Sequence, residues 1–250
     1  MQHESFKPIP VKAPSSSRMM YALRRLLDLQ FHTIVEFLRP AMGTLKGKVL
    51  DVGAGQSPWK EWLSTDASYV GLDVENAGEF GMSQAREGIT YYDGRSIPFA
   101  DSSFDAVICI EVLEHAEDPD ILVAEISRCL RRGGTLLLSV PWSARRHHIP
   151  HDYHRFTRER LERLLISHSF GSVQISERGT DIATIANKLV VLSIRLAPLR
   201  VALRSLLALP LFLLVAPIAA GFVVCAHLSG WLGWGAKEDP LGYFVRAVRD

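Results

Sequence analysis

The fold of this 250-residue chain is decided by the stretch Lys48-Val49-Leu50-Asp51-Val52-Gly53-Ala54-Gly55. Its first five residues are apolar enough to form a short buried strand, and the two glycines that follow predict a tight turn. Glycines in such a turn allow the backbone to approach a bound molecule closely. The stretch therefore predicts a strand that leads into a ligand-binding turn.

Apolar and amphipathic segments alternate on the carboxyl side of this turn. Further strands are predicted at residues 69–72, 89–92, 104–110, 135–140, 173–176 and 241–248. Helices are predicted at residues 17–38, 57–63, 118–132 and 157–169. This alternation predicts the α/β class, with a doubly wound, mostly parallel sheet of the Rossmann type.

Composition narrows the class of protein. The net charge of +1 gives no broad basic field, so binding to nucleic acid is not expected. Cys109 and Cys129 lie in apolar runs and are expected to be core thiols, which favours a reducing compartment. Residues 1–17 lack the apolar core of a secretory signal and are expected to form a loose N-terminal arm.

Acidic residues stand at the carboxyl ends of the next strands, where ligands bind in an open parallel sheet. Asp73 ends the second strand, at about the place where an acidic residue bonds ribose hydroxyls in nucleotide-binding sheets. Asp93 ends the third strand and could accept a hydrogen bond from an adenine amino group. The segment Glu111-Val112-Leu113-Glu114-His115 follows the fourth strand at the same edge.

Taken in this order, and with Tyr92-Asp93-Gly94 and Ile97-Pro98-Phe99, the motifs resemble the class I S-adenosylmethionine-dependent methyltransferases. More narrowly, they resemble the methyltransferase type 11 group, over roughly residues 45–141. The resemblance implies a seven-stranded sheet whose last two strands form a hairpin, and S-adenosylmethionine as the cofactor. One departure is Gln56-Ser57-Pro58, which replaces the usual residues after Gly55.

The resemblance also implies roles for individual residues. Asp73 would hold the ribose, Asp93 and Gly94 would flank the adenine, and Glu111 and Val112 would line the sulfonium side. The part of the site under the amino acid end of the cofactor would be formed by Asp51, Gly53, Ala54 and Gly55. A dinucleotide dehydrogenase is the competing interpretation, but its fingerprint needs a third glycine that this chain lacks.

Residues 141–157 carry four histidines and three arginines after the fifth strand, where an acceptor is expected to enter. Three interpretations stay open: a general base with anion-binding arginines, a structural loop with Thr157 capping the next helix, or a metal site. No recognised zinc framework is present, so no metal is predicted. The base candidates are His151 and His154, with His115 as a third. The string at residues 151–157 resembles a segment of type 11 methyltransferases encoded among genes for surface-glycan and lipid-linked sugar synthesis.

Residues 181–236 are expected to form an apolar helical insertion before the last strand, between two parts, 18–180 and 237–250, of one cofactor-binding domain. The run at 206–226 is long enough to cross a bilayer, although it contains Pro210 and Pro217. Because the last strand must return to the sheet, the insertion should enter and leave on one side, as a helical hairpin or an interfacial element. Anionic lipid would suit Lys188, Arg195, Arg200 and Arg204, and an interfacial belt would suit Trp231 and Trp234. A buried cap over the site or a dimer interface is the alternative.

The function expected from these observations is methyl transfer to a sugar, a lipid-linked glycan or another lipophilic acceptor. The expected location is the cytoplasmic face of a membrane, reached through residues 182–234. A scaffold protein that binds the cofactor without catalysis is the second hypothesis, and an NAD-dependent dehydrogenase is the third.

Overall fold

The computed structural model describes residues 9–80, 87–198 and 203–250, with the backbone alone for residues 203–206. Its strands are β1 (Gly47–Val52), β2 (Ala67–Val74), β3 (Ile89–Tyr92), β4 (Phe104–Ile110), β5 (Leu130–Pro141), β6 (Phe170–Arg178) and β7 (Gly242–Arg249). They form one sheet in the order β3-β2-β1-β4-β5-β7-β6. The strands β1 to β5 pair in parallel, whereas β7 runs antiparallel to both β5 and β6. The predicted mostly parallel, seven-stranded sheet is confirmed.

Helices cover both faces of this sheet. They are α1 (Arg18–Leu27), α2 (Leu29–Met42), α3 (Pro119–Cys129), α4 (Arg158–Ser167), α5 (Asp181–Leu196) and α6 (Leu203–Leu232). Successive side chains of a strand point to opposite faces. Leu50 and Val52 therefore pack in the cluster that holds α3 and α4, whereas Val49 packs in the cluster that holds α2. The carboxyl ends of β1 to β6 meet at one edge of the resulting three-layer structure.

The segment after the glycine turn differs from the prediction. In place of a helix at 57–63 there is only a 3-10 turn, Lys60–Trp62. Ser57 has a φ of 51°, which lies in the left-handed region and therefore outside a right-handed helix. The buried Trp59 ring stacks on Phe31 at 6.3 Å between centroids, which fixes the segment against α2.

The predicted helix at 17–38 is two helices, α1 and α2. The helical conformation is interrupted at Asp28. Its carboxylate accepts a hydrogen bond from Phe31 N at 3.0 Å and so caps α2. The second helix continues through Pro40. Met19 on α1 is 76% exposed, and the apolar neighbours Met20, Leu23, Leu26 and Leu27 are exposed as well. Most of the packing onto the domain therefore comes from α2, and α1 adds Tyr21. The predicted helix at 118–132 is also shorter, because Leu130 already pairs in β5.

The insertion is a helical hairpin rooted at the carboxyl edge of the sheet. Arg178 at the end of β6 pairs with Gly242 at the start of β7, which in turn pairs with Pro141 at the end of β5. Asp181 N donates to Ala236 O at 3.0 Å and closes the base of the hairpin. Within α6, residues Leu207–Leu232 are long and apolar enough to cross a membrane. Arg200 and the side chain of Arg204, both expected at the lipid surface, lie outside the described residues.

Candidate active site

The turn after β1 is held by main-chain hydrogen bonds. Gly53 N and Ala54 N both donate to Leu72 O, at 2.9 and 3.0 Å. Gly53 has a φ of 72°, and a Cβ there would lie 2.3 Å from Val112 Cγ2. A side chain would therefore both strain the backbone and collide with the segment after β4. The turn and Val112 are brought together as the sequence predicted.

Asp73 joins this turn to the end of β2. Its two carboxylate oxygens accept from Gly55 N at 2.9 Å and from Val74 N at 2.8 Å. Burial raises the pKa of Asp73, and these two hydrogen bonds oppose that shift. Each carboxylate oxygen has a second lone pair, so the group can also accept from two vicinal hydroxyls. These features fit the ribose-binding role that the resemblance assigns to Asp73.

Asp51 lies beneath the turn and is buried, so it supports the turn from within the sheet. Its carboxylate accepts from Tyr69 OH at 2.7 Å, and burial raises its pKa to about 7. Asp93, in contrast, is exposed and accepts from Arg95 N and Ser96 N at 2.8 and 2.9 Å. These two hydrogen bonds lower the pKa of Asp93, and the one from Ser96 N has the larger effect. The Asp93 carboxylate is therefore a hydrogen-bond acceptor at neutral pH.

Glu111 is the best-anchored acidic residue on the other side of the edge. It has a φ of 56°, and its Oε1 accepts from Ser139 Oγ and from Arg178 Nη2, both at 2.8 Å. Arg178 is fully buried and also donates to Val140 O at 3.2 Å. Sequence reasoning missed Arg178. The available signal was an arginine at the end of a strand, where it reaches the shared edge.

The three predicted base candidates meet where the loop after β5 crosses the turn after β4. His115 Nδ1 donates to His151 O at 2.6 Å, because a carbonyl oxygen can only accept. Burial, and then the charge of His147, lower the pKa of His115 to about 4, so its ring is neutral at pH 7. His154 Nε2 likewise donates to Ala116 O at 3.0 Å, which commits that nitrogen as a donor.

His151 has the geometry that suits a general base best. Its Nε2 lies 2.6 Å from Glu79 Oε2, and its Nδ1 lies 3.1 Å from Tyr153 OH. A carboxylate on Nε2 fixes the tautomer and leaves Nδ1 as the proton acceptor. Sequence reasoning missed Glu79, since it lies 72 residues before His151 in the chain.

Arg155 is committed to the loop itself. Its guanidinium forms a two-point ion pair with Asp152, at 2.7 and 2.8 Å, and also donates to His154 O at 2.6 Å. Burial raises the pKa of Asp152, but hydrogen bonds from His147 and Arg155 outweigh it and hold that pKa well below its usual range. The pair supports the structural interpretation of this part of the loop.

Glu114 is the most unusual acidic residue of the site. It is fully buried, and neither carboxylate oxygen has a hydrogen-bond partner among the described residues. Burial, and then the charge of Glu111, raise the pKa of Glu114 well above its usual value. Its Oε1 lies 3.7 Å from His115 Nε2 and 4.0 Å from His147 Nε2. No pattern in the sequence predicted this burial.

Comparison with known proteins finds a matching family and similar proteins for the central segment of the chain. The profile of the family described as "Methyltransferase domain" matches residues 50–138. The methyltransferase GfsG of Streptomyces halstedii is 36% identical over 102 residues, which cover 37% of this chain and 37% of GfsG. The sterol 24-C-methyltransferase erg6 of Aspergillus fumigatus is 38% identical over 112 residues, or 39% of this chain and 29% of that protein. The chain thus spans about a third of the length of the curated relatives it matches.

A solved structure extends the likeness to nearly the whole chain. It is a chain of the complex between the Haloferax volcanii Trm112 methyltransferase activator and a methyltransferase. The TM-score is 0.52 at 16% identity, and the alignment covers 94% of this chain and 96% of that chain. At this identity the comparison concerns the fold alone.

Proposed function

Because residues 50–138 belong to the class I S-adenosylmethionine-dependent methyltransferases, in the type 11 group, we propose that the chain methylates a lipophilic acceptor at a membrane surface. The predicted resemblance to this family is confirmed over residues 50–138, and S-adenosylmethionine is the cofactor of the family. The acceptor that we propose is a sugar on a lipid-linked glycan, or another lipid. A likeness to a sterol methyltransferase supports a lipophilic acceptor.

The observation that carries this proposal is where the helical hairpin lies. α5 and α6 leave and rejoin the sheet at the carboxyl edge, between the end of β6 and the start of β7. The base of the hairpin contacts the loop after β5, residues 141–157, which we call the acceptor loop. Trp142 N and Ser143 N of this loop both donate to Leu241 O. A lipid held by the hairpin would therefore reach the site from the side opposite the glycine turn.

The surface of α6 is apolar where it is exposed. Trp231 is 81% exposed, and further exposed apolar residues are Leu207, Leu211, Leu213, Leu214, Ile218, Val224 and Leu228. An exposed apolar patch of this kind marks an interaction or membrane surface. The exposed face of α1 extends it, because His227 Nε2 on α6 donates to Leu26 O at the end of α1.

Helix lengths favour a hairpin that dips into the bilayer over one that crosses it. The 16 residues of α5 span about 24 Å, less than the roughly 30 Å of the hydrocarbon core. Both ends of the hairpin also lie at the carboxyl edge of the sheet, so a hairpin that enters the bilayer must leave it on the same side. Lys188 lies midway along α5 and Arg195 near its far end, so a hairpin that enters the bilayer at a shallow angle would let both reach anionic lipid headgroups, as on a cytoplasmic membrane face.

The residues at the carboxyl edge of the sheet have separate roles in methyl transfer. The glycine turn, Asp73 and Asp93 bind the cofactor, which supplies an activated methyl group when bound. His151, held by Glu79, accepts the proton of an acceptor hydroxyl or amine at Nδ1 in place of the Tyr153 hydroxyl. His115 and His154 orient the loop through their bonds to main-chain carbonyls. Alignment of acceptor and methyl group provides the rest of the rate enhancement.

Methyl transfer is tested with labelled S-adenosylmethionine and a membrane lipid extract. We expect label in the organic-soluble fraction with the full chain, and at least a tenfold slower transfer with His151→Gln. Binding of S-adenosylhomocysteine without any incorporation would contradict catalysis and favour the scaffold hypothesis. Binding of NAD instead of S-adenosylhomocysteine in calorimetry would favour the dehydrogenase.

Membrane contact is tested separately by flotation with vesicles of phosphatidylethanolamine and phosphatidylglycerol. Leu213→Lys combined with Leu214→Lys should release the chain, because two charges then enter the apolar surface. The matched control is Ile121→Lys combined with Ile166→Lys, which places the same charges on exposed apolar positions of α3 and α4. Equal flotation of the two double variants would contradict the membrane role of the hairpin, as would flotation after deletion of residues 202–231.

A further inference from the structure

Three histidines converge beside the candidate active site in an arrangement that methyl transfer does not require. His115 comes from the turn after β4, and His147 and His148 come from the loop after β5. One ligand nitrogen from each ring lies within 4.8 Å of the other two. The Phe80 ring packs against His115 and His148 at 5.6 Å, which shields the group from one side.

Two of the rings are already oriented as metal ligands usually are. A metal-bound histidine commonly donates its second ring N–H to a carbonyl or a carboxylate. His115 Nδ1 donates to His151 O at 2.6 Å, and His147 Nδ1 donates to Arg145 O at 3.1 Å. The Nε2 atoms of both rings are thereby left as acceptors.

Glu114 points independently to a missing ligand. Its carboxylate is fully buried and without a hydrogen-bond partner among the described residues, and its Oε1 lies 3.7 and 4.0 Å from those two Nε2 atoms. A buried carboxylate without a partner is costly, and metal coordination is one of the few ways to satisfy it. The fully buried group therefore lies on the side of the cluster that the two Nε2 atoms face.

We propose that His115, His147, His148 and Glu114 bind one divalent transition-metal ion, with Zn²⁺ as the best fit. Three imidazoles and one carboxylate suit zinc, whereas Mg²⁺ and Ca²⁺ prefer oxygen ligands throughout. Four protein ligands leave no open position, which is the pattern of a structural zinc site. The ion ties the acceptor loop to the turn after β4. His151 lies outside the ligand set and stays available as a base.

Binding requires a small contraction of the cluster. Zinc bonds of about 2.0–2.1 Å in a tetrahedron separate the ligand atoms by roughly 3.3 Å. Here the three imidazole nitrogens lie within 4.8 Å of one another, and Glu114 Oε1 lies 3.7 and 4.0 Å from the Nε2 atoms of His115 and His147. Rotation of the three rings about their side-chain bonds would supply this movement without a shift of the strands. The inference is independent of the acceptor, because it concerns a metal and not the methyl transfer itself.

The test uses the full chain without an affinity tag, stripped with a chelator and titrated with Zn²⁺ in a calorimeter. We expect one ion to bind per chain, and the absorption bands of a tetrahedral site when Co²⁺ replaces Zn²⁺. His147→Gln should weaken Zn²⁺ binding by more than the roughly 10–100-fold typical of a second-shell change, and His148→Gln provides an independent second variant. Glu114→Gln should also weaken binding, by at least about tenfold.

The matched control is His168→Gln. His168 bonds Asp120 Oδ1 at 3.2 Å beside the end of α4, apart from the cluster, so this variant should bind Zn²⁺ like the parent chain. Circular dichroism establishes that each variant is folded. The proposal is overturned if the folded parent chain shows no saturable Zn²⁺ binding, or if the His147, His148 and His168 variants bind equally. Unchanged affinity in Glu114→Gln would overturn the part of the proposal that concerns Glu114.

Discussion

The turn after β1 and the loops after β4 and β5 lie at the same edge of the sheet but are held by different bonds. On the cofactor side, main-chain N–H groups of Gly53, Ala54 and Gly55 bond to the end of β2. On the acceptor side, side chains form the links, such as Arg178 with Glu111 and Arg155 with Asp152. A turn built from main-chain groups depends on glycine and one acid. A side-chain network depends on every partner, and this difference can be tested on each side.

The largest effect is expected on the acceptor side, from Arg178→Met. Removal of a fully buried arginine leaves the Glu111 carboxylate without its cation, which costs about 3–5 kcal/mol of unfolding free energy. Denaturant titration measures the loss. Glu111→Gln in the same background should recover part of it, because the unpaired charge is then gone. A loss below about 1 kcal/mol would show that the ion pair is not what holds this side.

On the cofactor side, Asp73→Ala should weaken S-adenosylhomocysteine binding by about 1.5–3 kcal/mol, or roughly 10–150-fold. The ribose hydroxyls would lose a charged acceptor, and the Gly55 N–H would lose its partner. Calorimetry gives the dissociation constant. Asp66→Ala is the control, since Asp66 is exposed and pairs with Lys46 at 3.7 Å. Equal affinities of the two variants for S-adenosylhomocysteine would show that Asp73 does not bind the ribose.

The buried acid beneath the turn makes stability depend on pH. Burial raises the pKa of Asp51 to about 7 from an ordinary value of 3.8. Between these values the native state holds a proton that the unfolded chain releases, so the stability that Asp51 contributes is lost as pH rises through about 7. The gain in unfolding free energy from Asp51→Asn should therefore be on the order of 2 kcal/mol larger at pH 8 than at pH 5. Denaturant titrations at both pH values check it, and a gain independent of pH would refute it.

The smallest effect separates backbone strain from collision. Gly53 and Gly88 have φ values of 72° and 78°, but no described atom lies within 4 Å of a Cβ built on Gly88. Gly88→Ala should cost about 1 kcal/mol for the left-handed conformation alone. Gly53→Ala should cost at least about 1 kcal/mol more, because of the contact with Val112. Equal midpoints in thermal unfolding would mean that Val112 yields without cost.

Much of the fold was predictable because its signals are local. Strand periodicity, the glycine turn and the caps at Asp118 and Thr157 all act within a few residues. The prediction of a helix at 57–63 was wrong because the buried Trp59 ring fixes that segment against Phe31 of α2. A local sequence pattern does not show such a contact. The break at Asp28 was missed because an acid between two apolar runs can cap a helix as well as continue one.

The sequence by itself determined the order of the strands along the chain, the glycine turn and the acids at the ends of β2 and β3, since each depends on neighbours in the chain. Only the tertiary structure decided which side chains meet. Arg178 and Glu111 lie 67 residues apart, and His151 and Glu79 lie 72 residues apart. The burial of Glu114 beside His115 and His147 depends on two loops crossing at the sheet edge. Such contacts arise from packing between distant elements, so no local pattern in the sequence encodes them.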